Sequence, residues 1–333
     1  MERQGNGDRP VIETGLMRRR VLGSAAGVVI AGLLASQGSA SAEQSIDRQD
    51  RNSVISAYQS WLAPLLLIPT GWDGDLSECR AGNPSTESQQ AVLSAVNYMR
   101  AMADLKPVSL NDALSKRSQQ AALIMAANDI ITHDPPKSAR CWTEDGYLGA
   151  KNGNLALGYG YGPDELANVT GARAVVSYMI DPGPGNGPVG HRRWLLFQKL
   201  AEIGNGDTNN ANSLYVIGTD QRTRSPKWVA WPTAGYFPRE LEPDGRWSLT
   251  YPKADFRKAK VTVRTPQGEI PVEKYRVRNG YADNSVSWEM QLPGDYAADP
   301  NADYPVSVVV SGIRVGGRTV SHEWTTTLVK ATP

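Results

Sequence analysis

Apolar residues recur three and four positions apart in four stretches of the first 180 residues, a spacing that collects them on one face of a helix. Val54, Tyr58, Trp61, Leu62 and Leu65 predict a short amphipathic helix that Pro69 ends. Val92, Leu93, Val96, Met99, Met102 and Ala103 predict a second, opened by Thr86-x-x-Gln89 at capping-box spacing and closed before Pro107. Leu114, Ala121, Ala122 and Met125 to Ala127 predict a third behind Asn111, a good N-cap. Val169, Ala172, Val175, Val176 and Met179 predict a fourth. Asp181-Pro182 halts it, because proline disfavours helical geometry at the residue before it.

The intervening chain reads differently. Residues 133–154 hold Pro135, Pro136, Cys141 and Gly146 and are expected to be a long irregular crossing. Leu155-Ala156-Leu157 is a brief apolar segment before a glycine and tyrosine turn at 158–162. Four glycines and three prolines in 182–190 exclude regular structure and predict a tight loop with His191 at its end. Short strands are expected at 194–196, 202–204 and 213–218, so that His191 opens the first. Beyond 222–226 helical periodicity stops, and β-rich segments recur at 246–251, 260–265, 271–277, 286–292, 305–311 and 323–329. Alternating V-T-V and V-S-V-V-V patterns there predict an antiparallel sandwich.

The fold class is therefore α+β: a small sheet between helices, followed by an all-β, Ig-like sandwich. The expected division is 1–42 a signal peptide, 43–84 an arm with a helix and a loop, 85–222 the helical and sheet domain, and 223–333 the β domain.

The leader rests on order: Arg18, Arg19 and Arg20, then a mild Ala/Gly-rich apolar run, then the small-x-small sequence Ala40-Ser41-Ala42. The paired arginines and weak apolar core favour the twin-arginine route, with cleavage before Glu43. Gly23, Ser24, Gly27, Gly32 and Ser36 interrupt the run, so it makes a poor membrane-spanning helix, and no stable transmembrane segment is expected in the mature chain. At 40% hydrophobic and 21% charged, 333 residues suffice for one or two ordinary cores. Five of the 35 Lys and Arg and three of the 34 Asp and Glu fall in 1–42, leaving 30 bases against 31 acids. That balance offers no basic patch for a phosphate backbone and argues against nucleic acid as a partner. Cys79 and Cys141 are the two cysteines of a chain expected outside the cytoplasm, where a disulfide is the first reading and two separate buried thiols the second.

With three histidines in the chain, His191 and the carboxylate of Asp181 beside a rigid loop are candidates for a site. His133, which follows the third helix, is the second histidine. His322 is expected to be a solvent-facing strand residue. Gly185-x-Gly187-x-x-Gly190 matches a dinucleotide fingerprint as a string, but it follows a helix and not a strand, and it is read as loop chemistry. Tyr159, Tyr161, Tyr178, Trp194, Trp228, Trp231, Tyr236 and Phe237 form an aromatic set, read either as packing between domains or as a groove for a lipid or glycan.

The helices at 91–102 and 118–128, T-H-D at 132–134, N-G-N-L-A at 152–156 and V-G-H-R-R-W-L-L at 189–196, in that order and spacing, resemble the CAP superfamily of cysteine-rich secretory, antigen 5 and pathogenesis-related 1 proteins. The resemblance covers 85–220. It implies an α-β-α sandwich whose central cleft is lined in many members by two histidines and two acids that can hold a divalent metal. Position by position, His133 and His191 match the histidines and Asp181 the second acid, whereas Gly153 stands where the first acid precedes Asn154. Zn2+ or another divalent cation held weakly by His133, His191 and Asp181 is the metal reading, with Asn154 and Tyr178 as further cleft residues. In the alternative, the two histidines are hydrogen-bonded loop anchors.

No G-x-S-x-G or H-E-x-x-H occurs. The expected function is a secreted, non-enzymatic binding module for a hydrophobic or cell-envelope ligand such as a lipid. A metal-assisted hydrolase or peptidase, with Asp181 or His133 as base, is the alternative.

Overall fold

The computed structural model describes residues 45–158, 169–218 and 226–332. The expected leader, Tyr159 and Tyr161 lie outside the described residues. The chain from Ala42 onward is one compact unit.

The helices are α1 Arg51–Ala57, continued by a π-turn Tyr58–Leu62 and α2 Ala63–Leu65, then α3 Thr86–Met102, α4 Asp112–Asn128, α5 Glu144–Asn152, α6 Gly171–Ile180, α7 Gly190–Leu195 and α8 Gly294–Ala298. The cap of α3 lies one residue earlier than expected: the Ser85 side chain accepts from the Ser88 amide. Asn111 caps α4 as predicted, accepting from the Leu114 amide.

The first sheet contains β1 Ser109–Leu110, β2 Gly153–Leu157, β3 Glu202–Asp207 and β4 Ala211–Tyr215 in the order β1-β3-β4-β2. Only β1 and β3 run parallel. Successive side chains of a strand point to opposite faces, and the two faces here have separate helical covers. Leu155 and Ala211 pack with Ala121, Ala122 and Met125 of α4 and Ala150 of α5. Ala156, Ile203 and Leu214 belong to the other face, with Val92, Val96 and Met99 of α3 and Val175 and Met179 of α6. This is the predicted α-β-α sandwich. Gly206 permits the close seating of α4, since a Cβ there would stand 2.1 Å from the Gln119 amide nitrogen.

Two expectations fail in this region. Residues 144–152 are helix α5 and not irregular crossing, capped by Thr143 and seated on α4 through the small buried residues Gly146, Gly149 and Ala150. Residues 194–196 are not a strand: Trp194 and Leu195 complete α7, and His191 lies in its first turn.

The remaining strands are β5 Val229–Trp231, β6 Gly235–Pro238, β7 Trp247–Thr250, β8 Lys260–Thr265, β9 Gly268–Ile270, β10 Glu273–Lys274, β11 Ser285–Glu289, β12 Tyr304–Val315 and β13 Arg318–Val329. They form an antiparallel sheet β10-β11-β7-β5 and a second sheet β6-β13-β12-β8-β9, in which β6 runs parallel to β13. Between β12 and β13 the Gly316-Gly317 pair, at φ 54° and 81°, supplies the two-residue turn that a tight hairpin requires. Trp288 of the first sheet and Trp324 of the second meet at 6.3 Å. His322 is half-buried against the rings of Trp228 at 4.9 Å and Tyr251 at 5.4 Å, and burial lowers its pKa, which corrects the solvent-facing expectation.

One apolar core runs from Val92 of α3 through Trp231 and Phe237 to Trp247 and Val308. The arm is part of it: Val54, Tyr58 and Leu62 are buried, Trp61 donates to Ser94 Oγ at 2.8 Å, and Gln59 donates to the Ala331 carbonyl at 2.8 Å. Arg192 fastens the helical and β-rich parts. Its Nε donates to the Met179 carbonyl at 2.6 Å and one terminal nitrogen to that of Ile180 at 3.1 Å, while the other reaches the Arg246 carbonyl at 2.8 Å and Ser248 Oγ at 3.1 Å.

Cys79 and Cys141 are bonded, 62 residues apart, and join the loop after the arm to the segment before α5. Replacing both with serine is expected to lower stability by about 2–5 kcal/mol, because the bridge restricts a long loop of the unfolded chain. The midpoint of urea unfolding with and without the pair checks this. Arg192→Met should cost at least about 2 kcal/mol in the same assay, since two buried carbonyls and a half-buried one lose their donor and each unmet buried group costs about 1–3 kcal/mol.

Candidate functional site

The C-terminus of α6 sets the geometry. Asp181 takes the left-handed conformation, φ 57°, that commonly ends a helix, and its amide donates back to the Ser177 carbonyl at 2.8 Å. The turn aims the buried carboxylate at α7. Oδ1 accepts from His191 Nδ1 at 2.8 Å and Oδ2 from the Arg192 amide at 3.3 Å. His133 is fixed in a parallel manner: its Nδ1 is 2.8 Å from the Ala150 carbonyl, which can only accept, so Nδ1 carries the hydrogen. Neither Nε2 has a hydrogen-bond partner among the described residues.

Both histidines line one cleft of about 420 Å³. Gly153 and Asn154 of β2, Asn186 and Gly190 of the glycine loop, and Trp194 of α7 share it. The opposite wall comes from the β-rich part, where Arg278, Gly280 and Tyr281 close the cleft. Arg193 holds that wall in place: it donates to the Arg278 carbonyl at 2.8 Å and twice to that of Asp283, at 2.8 and 3.2 Å, and its guanidinium lies 5.6 Å from the Tyr281 ring.

A hydrogen-bonded rail supports the site from inside. Asp207, fully buried, accepts from the Gly171 amide at 2.9 Å and from the side chains of Asn205 and Asn212 at 2.8 Å each, and burial raises its pKa. Asn212 Oδ1 accepts from the Tyr178 hydroxyl at 2.7 Å, and Asn154 Nδ2 donates to the His191 carbonyl at 3.0 Å. Tyr178, expected in the cleft, is instead 2% exposed and lies behind the site, its ring 5.3 Å from that of His191. Burial pushes its phenol well above the ordinary range.

The expected metal set is not assembled. His133 and His191 share the cleft, but Asp181 does not line it, because both carboxylate oxygens are engaged by His191 and Arg192. Among the described residues no three His, Cys, Asp or Glu side chains are grouped to hold an ion. Position 153 cannot readily supply the missing acid, since a Cβ there would stand 2.8 Å from the Gly149 carbonyl oxygen and 2.9 Å from Ser213 Oγ. The two imidazoles grouped among the described residues fall short of the three or four ligands that a zinc centre takes.

The sequence reading missed Lys151, Arg278 and Tyr281. Lys151 lies directly before N-G-N, a position a motif search could have tested. Arg278 and Tyr281 reach the cleft only through contacts spanning about 85 to 90 residues, which no local pattern announces. Of the aromatic set, Trp194 lines the cleft, whereas Trp231 and Phe237 are core residues packed edge to face at 5.0 Å.

Residues 93–219 match the model of the CAP family, described as the cysteine-rich secretory protein family. No curated protein matches the chain.

The contacts at position 153 give a direct expectation. Gly153→Ala should destabilise the fold by about 1–3 kcal/mol through overpacking against backbone, read as a lower urea midpoint. A glutamate there should cost at least as much and create no zinc site, which calorimetric zinc titration of the folded variant checks.

Proposed function

With residues 93–219 a CAP domain, we propose that the chain is an exported, non-enzymatic binding module whose cleft takes a hydrophobic or cell-envelope ligand. In this reading 1–42 is a leader removed after export, 43–84 an arm, 85–222 the CAP domain, and 223–333 a partner domain that contributes one cleft wall. The observation that carries it is the lining: Trp194, Ile217, Tyr281 and Pro188 offer apolar surface, and among the described residues no Ser, Thr, Cys, Asp or Glu side chain borders the cavity. Among these described lining residues no Ser, Thr or Cys offers a nucleophile for a covalent mechanism. The disulfide agrees with an oxidising compartment, and no helix of the described residues is long and apolar enough to cross a membrane.

One observation favours a second reading. The carboxylate that orients His191 through Nδ1 leaves Nε2 toward a bindable space, which is the base-and-orienter half of a hydrolytic site. Such a site would act on water without a metal.

Native mass spectrometry of the exported chain should show a copurified amphiphile, and panels of peptide and ester substrates should show no turnover. Hydrolysis that disappears in His191→Gln would replace the binding reading with the second.

A further inference from the structure

Among the described residues the charged lining of the cleft has one sign: Lys151 and Arg278 border it with His133 and His191, and no described carboxylate does. The acids next to these groups or held by the same anchors, Asp134, Asp181 and Asp283, stand outside the lining. Asp181 is consumed by His191 and the Arg192 amide. Two cations at one cavity repel a divalent metal and attract an anion. Each imidazole, its Nδ1 hydrogen committed to the protein, has Nε2 left as an acceptor for a hydroxyl of a guest. Arginine's planar fork and lysine's point charge are the pair of groups suited to phosphate oxygens. The rest of the wall is of another kind: Trp194, Ile217 and Tyr281 offer mainly apolar ring and side-chain surface.

We propose that the cleft is a receptor for the phosphate head of a small amphiphile, with Lys151 and Arg278 pairing the head, Nε2 of His133 or His191 accepting from the P–OH of its monoanion, and Trp194 and Tyr281 covering the apolar part. The proposal rests on the binding-module reading and narrows it to one ligand chemistry. Lys151 and Arg278 are exposed, so neutral substitutions there leave the core untouched.

The test is calorimetric titration of the folded chain with three probes at one ionic strength: inorganic phosphate, dihexanoyl phosphatidate and dihexanoyl phosphatidylcholine. Phosphatidate should bind at least about tenfold more tightly than inorganic phosphate, because its chains bury apolar area. It should also exceed phosphatidylcholine by about tenfold, the usual effect of a charge-assisted contact. Arg278→Gln and Lys151→Gln should each weaken phosphate and phosphatidate by about tenfold with an unchanged thermal midpoint. Absence of binding by both anions, or variants that bind as the parent does, overturns the proposal. Inorganic phosphate binding as tightly as phosphatidate overturns the amphiphile in favour of free phosphate. Equal binding of phosphatidylcholine and phosphatidate, with silent variants, removes the anion site and leaves an apolar binding module standing. Substrate turnover lost in His191→Gln would instead remove the module.

Discussion

A guanidinium buried without acceptors is among the costliest groups a fold can carry, and the carbonyls at the end of a helix are short of donors. Here each problem answers the other. Arg192, 1% exposed and lowered by burial to about 10, remains charged at neutral pH and collects the last carbonyls of α6 together with one of the chain before β7. Arg246 returns the contact from the β-rich side, donating to the carbonyls of Asp181 at 2.5 Å and Gly183 at 3.0 Å. The two arginines thus clasp the helix end that holds Asp181. Since Asp181 in turn orients His191, the site geometry is a by-product of the joint between the two parts of the molecule. Arg100 repeats the device on the far side of α7, donating to the carbonyls of Leu195 and Phe197.

What the sequence disclosed follows the size of the residues involved. Helices α3, α4 and α6 bury large apolar side chains at helical spacing and were legible as such. Helix α5 buries Gly146, Gly149 and Ala150, so its contact with α4 is made by close backbone approach, and periodicity analysis has nothing to register. Trp194-Leu195-Leu196 is an apolar run too short to separate strand from helix, and tertiary packing decided for helix. The histidines could be singled out because they are scarce. Their partners could not be assigned: Asp181 read as a ligand for a metal or as a base, and only the direction of its carboxylate shows that it braces the His191 imidazole. His322 was misplaced because strand alternation says which face a residue takes, not that Trp228, from a segment nearly a hundred residues earlier, will cover it.

The matched stretch ends at 219, yet the cleft is finished by Arg278, Gly280 and Tyr281. The unit that can be recognised along the chain is therefore smaller than the unit that makes a cavity. A cassette cut at the edges of the match would keep both histidines and lose the wall facing them. It would also strand Arg192 and Arg193, whose acceptors at Arg246, Arg278 and Asp283 lie beyond the cut. Change in a loop of the β-rich part can then reshape the cavity while the histidine frame stays unchanged, so that chains sharing this frame can differ in the walls of the cavity without altering the residues by which they are recognised.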